Sequence, residues 1–177
     1  TGAQRSFWML DELMLRNTTS NRINAVAVDG SLKLETFRSA CDAIVQRHDA
    51  LRMSFERQNG TPVQRAMPLE RCEFRFVDLE GEACTANSEA FLRLAVETCF
   101  RPFDLADGRV FRISVVRLSD IEWSVIQSFH HIICDGWSRQ ILTRELFQIY
   151  EAFLAGRPSP LRDPGICFRD YAAWLER

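Results

Sequence analysis

His130 and His131 stand side by side at the end of an apolar run, and Asp135-Gly136 follows after three residues. An imidazole has an unperturbed pKa of about 6.5, so it can take up and return a proton near neutral pH, as acyl transfer requires. A carboxylate four residues further on could position that ring or hold the turn between them. Two other readings are open for the same residues. His130, His131, Cys134 and Asp135 are all metal-ligand types, although neighbours on a strand face apart and no CxxC or HxxxH spacing offers a partner elsewhere. Two core histidines satisfied by hydrogen bonds would leave the same pattern.

The elements that must position these residues are a strand and a helix. Residues 123–129 are aromatic and β-branched and follow Ser119-Asp120, which predicts a strand. Alternation along it puts His131 on one face with Trp123, Val125 and Phe129, and His130 on the other. Beyond Gly136, the residues Ile141, Leu142, Leu146, Ile149, Tyr150 and Phe153 recur at helical spacing.

Earlier in the chain, Phe7, Trp8, Leu10, Leu13 and Met14 predict an amphipathic helix over 4–15, and 23–28 reads as a strand closed by Asp29-Gly30. Leu34, Phe37, Cys41, Ile44, Val45, His48 and Leu51 share one face of a helix over 34–51, with His48 as a satisfied core histidine. Residues 53–57 and 62–66 flank Gln58-Asn59-Gly60-Thr61 and predict a β-hairpin. A strand over 74–79, a loop over 81–87 and a helix over 89–100 follow. Phe111, Ile113 and Val115 then alternate as a strand that pairs with the histidine strand. Three prolines within 157–165 predict an extended linker, after which a helix begins at Phe168.

At 177 residues the chain can bury a core, and its 46% hydrophobic and 11% aromatic content is that of a globular protein. A formal net charge of -2 and the lack of a basic cluster argue against nucleic acid. No apolar run is long enough to cross a membrane and no signal-peptide pattern is present. The six cysteines have no paired spacing and several lie in apolar patterns, which predicts reduced, buried thiols in a cytoplasmic protein.

The residues His130-His131-Ile132-Ile133-Cys134-Asp135-Gly136, with Trp137-Ser138 and Arg144-Glu145-Leu146, resemble the signature of the condensation domains of nonribosomal peptide synthetases. Four further elements resemble that family in order: residues 3–10, with Gln4 and Trp8; Arg47-His48-Asp49-Ala50-Leu51-Arg52-Met53-Ser54-Phe55, where Met53 replaces the usual Thr; Phe103-Asp104-Leu105, followed by Arg109-Val110 rather than Pro-Leu; and 168–175.

The resemblance implies an α/β fold like chloramphenicol acetyltransferase, a mixed β-sheet packed with helices. Residues 1–177 would be its N-terminal lobe, and a second, C-terminal lobe would be absent. The implied reaction is amide formation between a donor acyl or peptidyl thioester and an aminoacyl amine. Both are carried on phosphopantetheine arms of upstream and downstream peptidyl carrier proteins, with no tightly bound cofactor and no metal. His131 would be the base or hydrogen-bond partner of the amine, and His130 structural. Asp135 would hold the turn through Arg47, with Arg52 second, and Gly136 would allow a tight backbone and close approach of the arm. Backbone N–H groups of the following helix could hold the arm or an oxyanion. Epimerisation domains share the histidine pattern, but Trp137-Ser138 favours condensation. A coenzyme A acyltransferase, or a lobe that only binds carrier proteins, are the other readings.

Overall fold

The computed structural model describes residues 1–14, 18–68, 71–80, 85 and 88–175. Its elements, in chain order, are α1 (Gly2–Leu13), β1 (Asn21–Asp29), α2 (Leu34–Arg47), a 3-10 turn (Asp49–Arg52), β2 (Met53–Gln58), β3 (Thr61–Ala66), β4 (Glu73–Asp78), α3 (Glu89–Cys99), β5 (Phe111–Arg117), β6 (Glu122–His130), α4 (Gly136–Leu154) and α5 (Phe168–Leu175). A four-stranded sheet has the order β1-β6-β5-β4, and β2-β3 form a separate hairpin. β6 pairs antiparallel with both β1 and β5, whereas β4 and β5 are parallel. The expected mixed sheet packed with helices is observed.

Alternation along β6 decides what covers the sheet. Trp123, Val125 and Phe129 point to one face and pack with Phe37, Ile44, Leu142 and Leu146 of α2 and α4. Ile126 points to the other and packs with Phe91 and Leu94 of α3. A third apolar cluster gathers Trp8, Met53, Phe55, Leu105, Val110 and Ile132, so α1 and the β2–β3 hairpin close over the end of β6. Fully burying one large apolar side chain is worth about 1.5–3 kcal/mol. Anchors such as Trp8, 4% exposed, therefore hold α1 down although most of that helix faces solvent.

Local chemistry fixes the ends of these elements. Thr1 and Gln4 form a capping box at α1, and the Ser88 hydroxyl caps α3. Lys33 gives α2 no side-chain cap; its backbone N–H instead donates to the Tyr150 hydroxyl of α4 at 2.9 Å. Asn59 and Gly60 take positive φ values of 50° and 81°, the twisted turn that closes a two-residue hairpin.

The helix expected over 34–51 stops at Arg47. His48 is extended (φ -110°, ψ 104°), and its imidazole leaves the helix face to bond Glu145. The chain resumes as a 3-10 turn in which Asp49 pairs with Arg52. Leu15 and residues 81–84, 86 and 87 of the expected loop lie outside the described residues.

Gly108 is required by geometry. It has φ +75°, and a Cβ built there would fall 2.5 Å from Met67 Cγ and 3.3 Å from the Arg52 carbonyl. A left-handed backbone costs a residue with a Cβ about 1–2 kcal/mol before any clash. Gly108→Ala is therefore expected to lower stability by about 2 kcal/mol or more. Urea unfolding should show a lower midpoint with an unchanged slope. A wild-type midpoint would contradict this geometry.

Candidate functional site

β6 ends at His130, and residues 131–133 turn out of the sheet. The ladder is carried one step further by the His131 N–H, which donates to the Ser20 carbonyl at 2.8 Å. His130 is fully buried. Its Nδ1 accepts from the Ile132 backbone N–H at 3.2 Å. A ring nitrogen that accepts carries no proton, so neutral His130 holds its proton on Nε2. That Nε2 lies 3.8 Å from Asp11 Oδ1 of α1.

His131 has the opposite arrangement. Its Nδ1 lies 2.9 Å from the Cys134 carbonyl oxygen, which can only accept, so Nδ1–H is the donor. The neutral ring then has a free lone pair on Nε2. One face of this half-buried imidazole stacks on Phe7 of α1, with centroids 4.7 Å apart and ring planes at 24°. Because the strand stops at His130, strand alternation does not govern His131. The ring meets Phe7 rather than sharing the Trp123–Val125–Phe129 packing. His130, by contrast, lies on the Ile126 side of the sheet, with Phe103 edge-on at 6.4 Å.

Asp135 is the N-cap of α4. Its Oδ1 accepts from the Ser138 N–H at 2.8 Å and the Ser138 hydroxyl at 2.6 Å. These two bonds, the hydroxyl foremost, hold its carboxyl below the ordinary carboxylate range. The expected Arg47–Asp135 pair is not formed. Arg47 Nε donates to Glu145 Oε2 at 2.9 Å and its guanidinium also donates to the Arg162 carbonyl at 2.7 Å. Arg52, the second choice, is held by Asp49 and by the Met67 carbonyl at 2.6 Å. Asp135 therefore holds the turn through Ser138, three residues away in sequence. Its carboxylate thereby occupies the Ser138 N–H of the first turn of α4.

Gly136 has no positive φ, and a Cβ there would meet nothing within 4 Å. A tight backbone does not demand glycine at this place; its missing side chain leaves open space at the start of α4. Beside the turn lies a cavity of about 230 Å³ walled by Leu51, Ile133, Cys134, Leu142 and Phe168, with His48 and Ser138 at its polar points. His48 Nε2–H donates to Glu145 Oε2 at 2.7 Å. Burial pushes the Glu145 carboxyl up, but its bonds from Arg47 and His48 bring it below its ordinary value.

Sequence reasoning missed Phe7 and Asp11 as neighbours of the histidines. Their i, i+4 spacing puts them on one face of α1, the only local signal for a contact spanning over a hundred residues. The Asp135–Ser138 cap was missed as well; an Asp three residues ahead of a Ser at the start of a helical pattern was the signal for it. The five described cysteines are free. Burial pushes the Cys134 thiol up to about 12 and raises Cys41 and Cys72 well above their ordinary value, so all three stay protonated. Among the described residues, no group of three or more His, Cys, Asp or Glu side chains is placed to hold a metal ion, and no helix is long and apolar enough to cross a membrane.

A family model described as Condensation domain matches residues 1–177. The chain is 36% identical over 172 residues to a linear gramicidin synthase of Brevibacillus parabrevis, covering 97% of the chain and 3% of that protein. It is 33% identical over 174 residues to chondramide synthase cmdD of Chondromyces crocatus, covering 98% of the chain and 4% of that protein. Among solved structures, the first condensation domain of the calcium-dependent antibiotic synthetase, in complex with a substrate analogue, superposes with a TM-score of 0.84 at 22% identity. That match covers 91% of the chain and 38% of the solved one. The starter condensation domain of rhizomide synthetase gives 0.85 at 21% identity, covering 99% and 43%. The chain thus spans a few per cent of these curated relatives and about two fifths of these solved domains.

The electrostatics of the two histidine neighbours are opposed. Burial, with His131 and Arg22 adding to it, pushes His130 down to about 4. Burial also pushes Asp11 up to about 6, helped by Glu12 and Asp104. Between about pH 4 and 6.5 the unfolded chain protonates His130 and the fold does not, so this group removes stability as pH falls. Between 3.8 and about 6 the fold keeps the Asp11 proton that the unfolded chain releases, so this group adds stability as pH falls. Over the shared window the two offset each other. Asp11→Asn is expected to unmask the histidine. The variant should be the more stable protein at pH 7, and its stability should then fall between pH 6 and 4 by up to about 1.4 kcal/mol per unit. Thermal melts across that range check it; parallel curves for the two proteins would contradict it.

Proposed function

The chain belongs to the Condensation domain family, and we propose that it is the N-terminal lobe that brings His131 to amide-bond formation in nonribosomal peptide synthesis. The substrates are a donor acyl or peptidyl thioester on an upstream carrier protein and an aminoacyl amine on a downstream one, each on a phosphopantetheine arm. The observation that carries the reading is the Nδ1–H bond from His131 to the Cys134 carbonyl, which leaves Nε2 with a lone pair.

A thioester is already activated, so the barrier lies mainly in orientation and proton handling. The neutral amine nitrogen attacks the thioester carbonyl carbon and forms the C–N bond. As it does, it becomes acidic, and His131 Nε2 accepts its proton. Collapse breaks the C–S bond. The departing sulfur takes the electron pair and is released as the thiol of the donor arm, with His131 returning the proton. Throughout, Nδ1–H stays on the Cys134 carbonyl, which holds the ring in register.

His130 serves the fold, since its Nδ1 is spent on the Ile132 N–H and its ring is fully buried. Asp135 shapes the turn through Ser138. Arg47 and Arg52 position the preceding segment through Glu145 and Asp49, which replaces the direct link to Asp135 expected from sequence. Gly136 leaves space through which an arm could approach. A C-terminal lobe would complete the substrate-binding site, and the protonated, buried thiols fit a cytoplasmic setting.

Donor-loaded and aminoacyl-loaded carrier proteins, mixed with the chain alone and with the chain extended to the length of the solved domains, test this by intact mass of the downstream arm. Dipeptidyl product is expected with the extended protein. His131→Ala should cost on the order of a hundredfold or more, and His130→Ala, measured per folded molecule, far less. Equal losses would overturn the division of roles, and product that survives His131→Ala unchanged would overturn the reading itself.

A further inference from the structure

The base of a proton transfer works only if its ring is held in one plane and one tautomer, and the Cys134 carbonyl constrains only one edge of His131. The second constraint comes from α1. Residues on either side of Phe7 set where this helix lies. Gln4 Nε2 donates to Gln64 Oε1 at 3.1 Å. Trp8 is buried in the cluster with Val110 and Ile132, with the Arg57 guanidinium 4.9 Å over its ring. Asp11, one turn beyond Phe7, reaches to 3.8 Å from His130. Phe7 itself is partly buried and packs against the same cluster. It covers one face of His131 in a stacked geometry, 24° from parallel.

We propose that Phe7 is a positioning residue for His131, a role that rests on the reading of His131 as the base. Its ring closes one face of the imidazole while Nδ1–H is tied to Cys134, which leaves the Nε2 edge turned to a substrate. Leucine at this place would keep apolar bulk and lose the flat stacked face; tyrosine would keep it.

Kinetics and proton NMR on the extended protein test this together. Phe7→Leu is expected to lower kcat about tenfold with KM changed less than about twofold, the loss of one aromatic pair at the reacting centre. Phe7→Tyr should recover most of it. In the wild-type chain the His131 ring C–H protons should lie upfield from the stacked phenyl ring and move downfield in Phe7→Leu. This readout holds whether or not the reaction is amide formation, so it separates failure of the positioning role from failure of the proposed function. Unshifted His131 protons in the wild type would overturn the proposal without recourse to any variant. So would a Phe7→Leu protein with wild-type kcat.

Discussion

An interior strand cannot leave its sheet without stranding backbone donors that were paired on both sides, and an unpaired buried N–H costs about 1–3 kcal/mol. β6 is such a strand, held between β1 and β5 and leaving the sheet at His130 in largely buried surroundings. The turn meets this constraint with its own side chains. His130 Nδ1 takes the Ile132 N–H, the His130 carbonyl takes the Ile133 N–H, and Asp135 takes the Ser138 N–H at the start of α4. His131 N–H still reaches β1 through Ser20, and its ring returns Nδ1–H to Cys134. Two adjacent residues of the same type thereby reach opposite tautomers. One satisfies the backbone, and the other leaves a basic nitrogen free.

Everything around the turn serves that arrangement from a distance. α2 and α4 clamp one face of the sheet through Phe37, Ile44, Leu142 and Leu146, which sets the height from which α4 begins. The opposite face is tied by Asn21, whose Nδ2 donates to the carbonyls of Cys99 and Arg101 at the end of α3, opposite His130 in the β1–β6 register. The β2–β3 hairpin and the 103–110 segment form the bed for Trp8, joined by the Phe55 N–H to the Leu105 carbonyl at 2.7 Å. The motif residues are local, but the rigidity that makes them useful is assembled from four other parts of the chain.

Much of this was legible in the sequence. Strand alternation and helical spacing placed β5, β6, α3 and α4 within a residue or two, because those segments each bury one consistent face. The period of a strand placed His130 on the face away from Phe129, where it lies; the strand ends there, so the direction of the His131 ring, stacked on Phe7, did not follow from it. What was not legible depended on partners remote in sequence. The break at His48 is stabilised by Glu145, 97 residues on, and Arg47 prefers that same carboxylate to Asp135. Glu145 offered no periodic signal of its own. Phe7 and Asp11 read as ordinary members of an amphipathic helix, because their meaning lies in where α1 lands on the end of β6, and pattern does not encode that landing. The Asp135 cap shows a third case, in which local chemistry three residues away outcompeted the expected long-range ion pair.

The central claim is the division between the two imidazoles, and long-range nitrogen–proton correlation NMR of histidine-labelled protein at neutral pH measures it most directly. The account predicts two distinct rings. His131 should have its proton on Nδ1 and an unprotonated Nε2, and His130 the reverse, with His130 remaining neutral to about pH 4. A His131 ring protonated on Nε2 at neutral pH, or two rings sharing one tautomer, would contradict it.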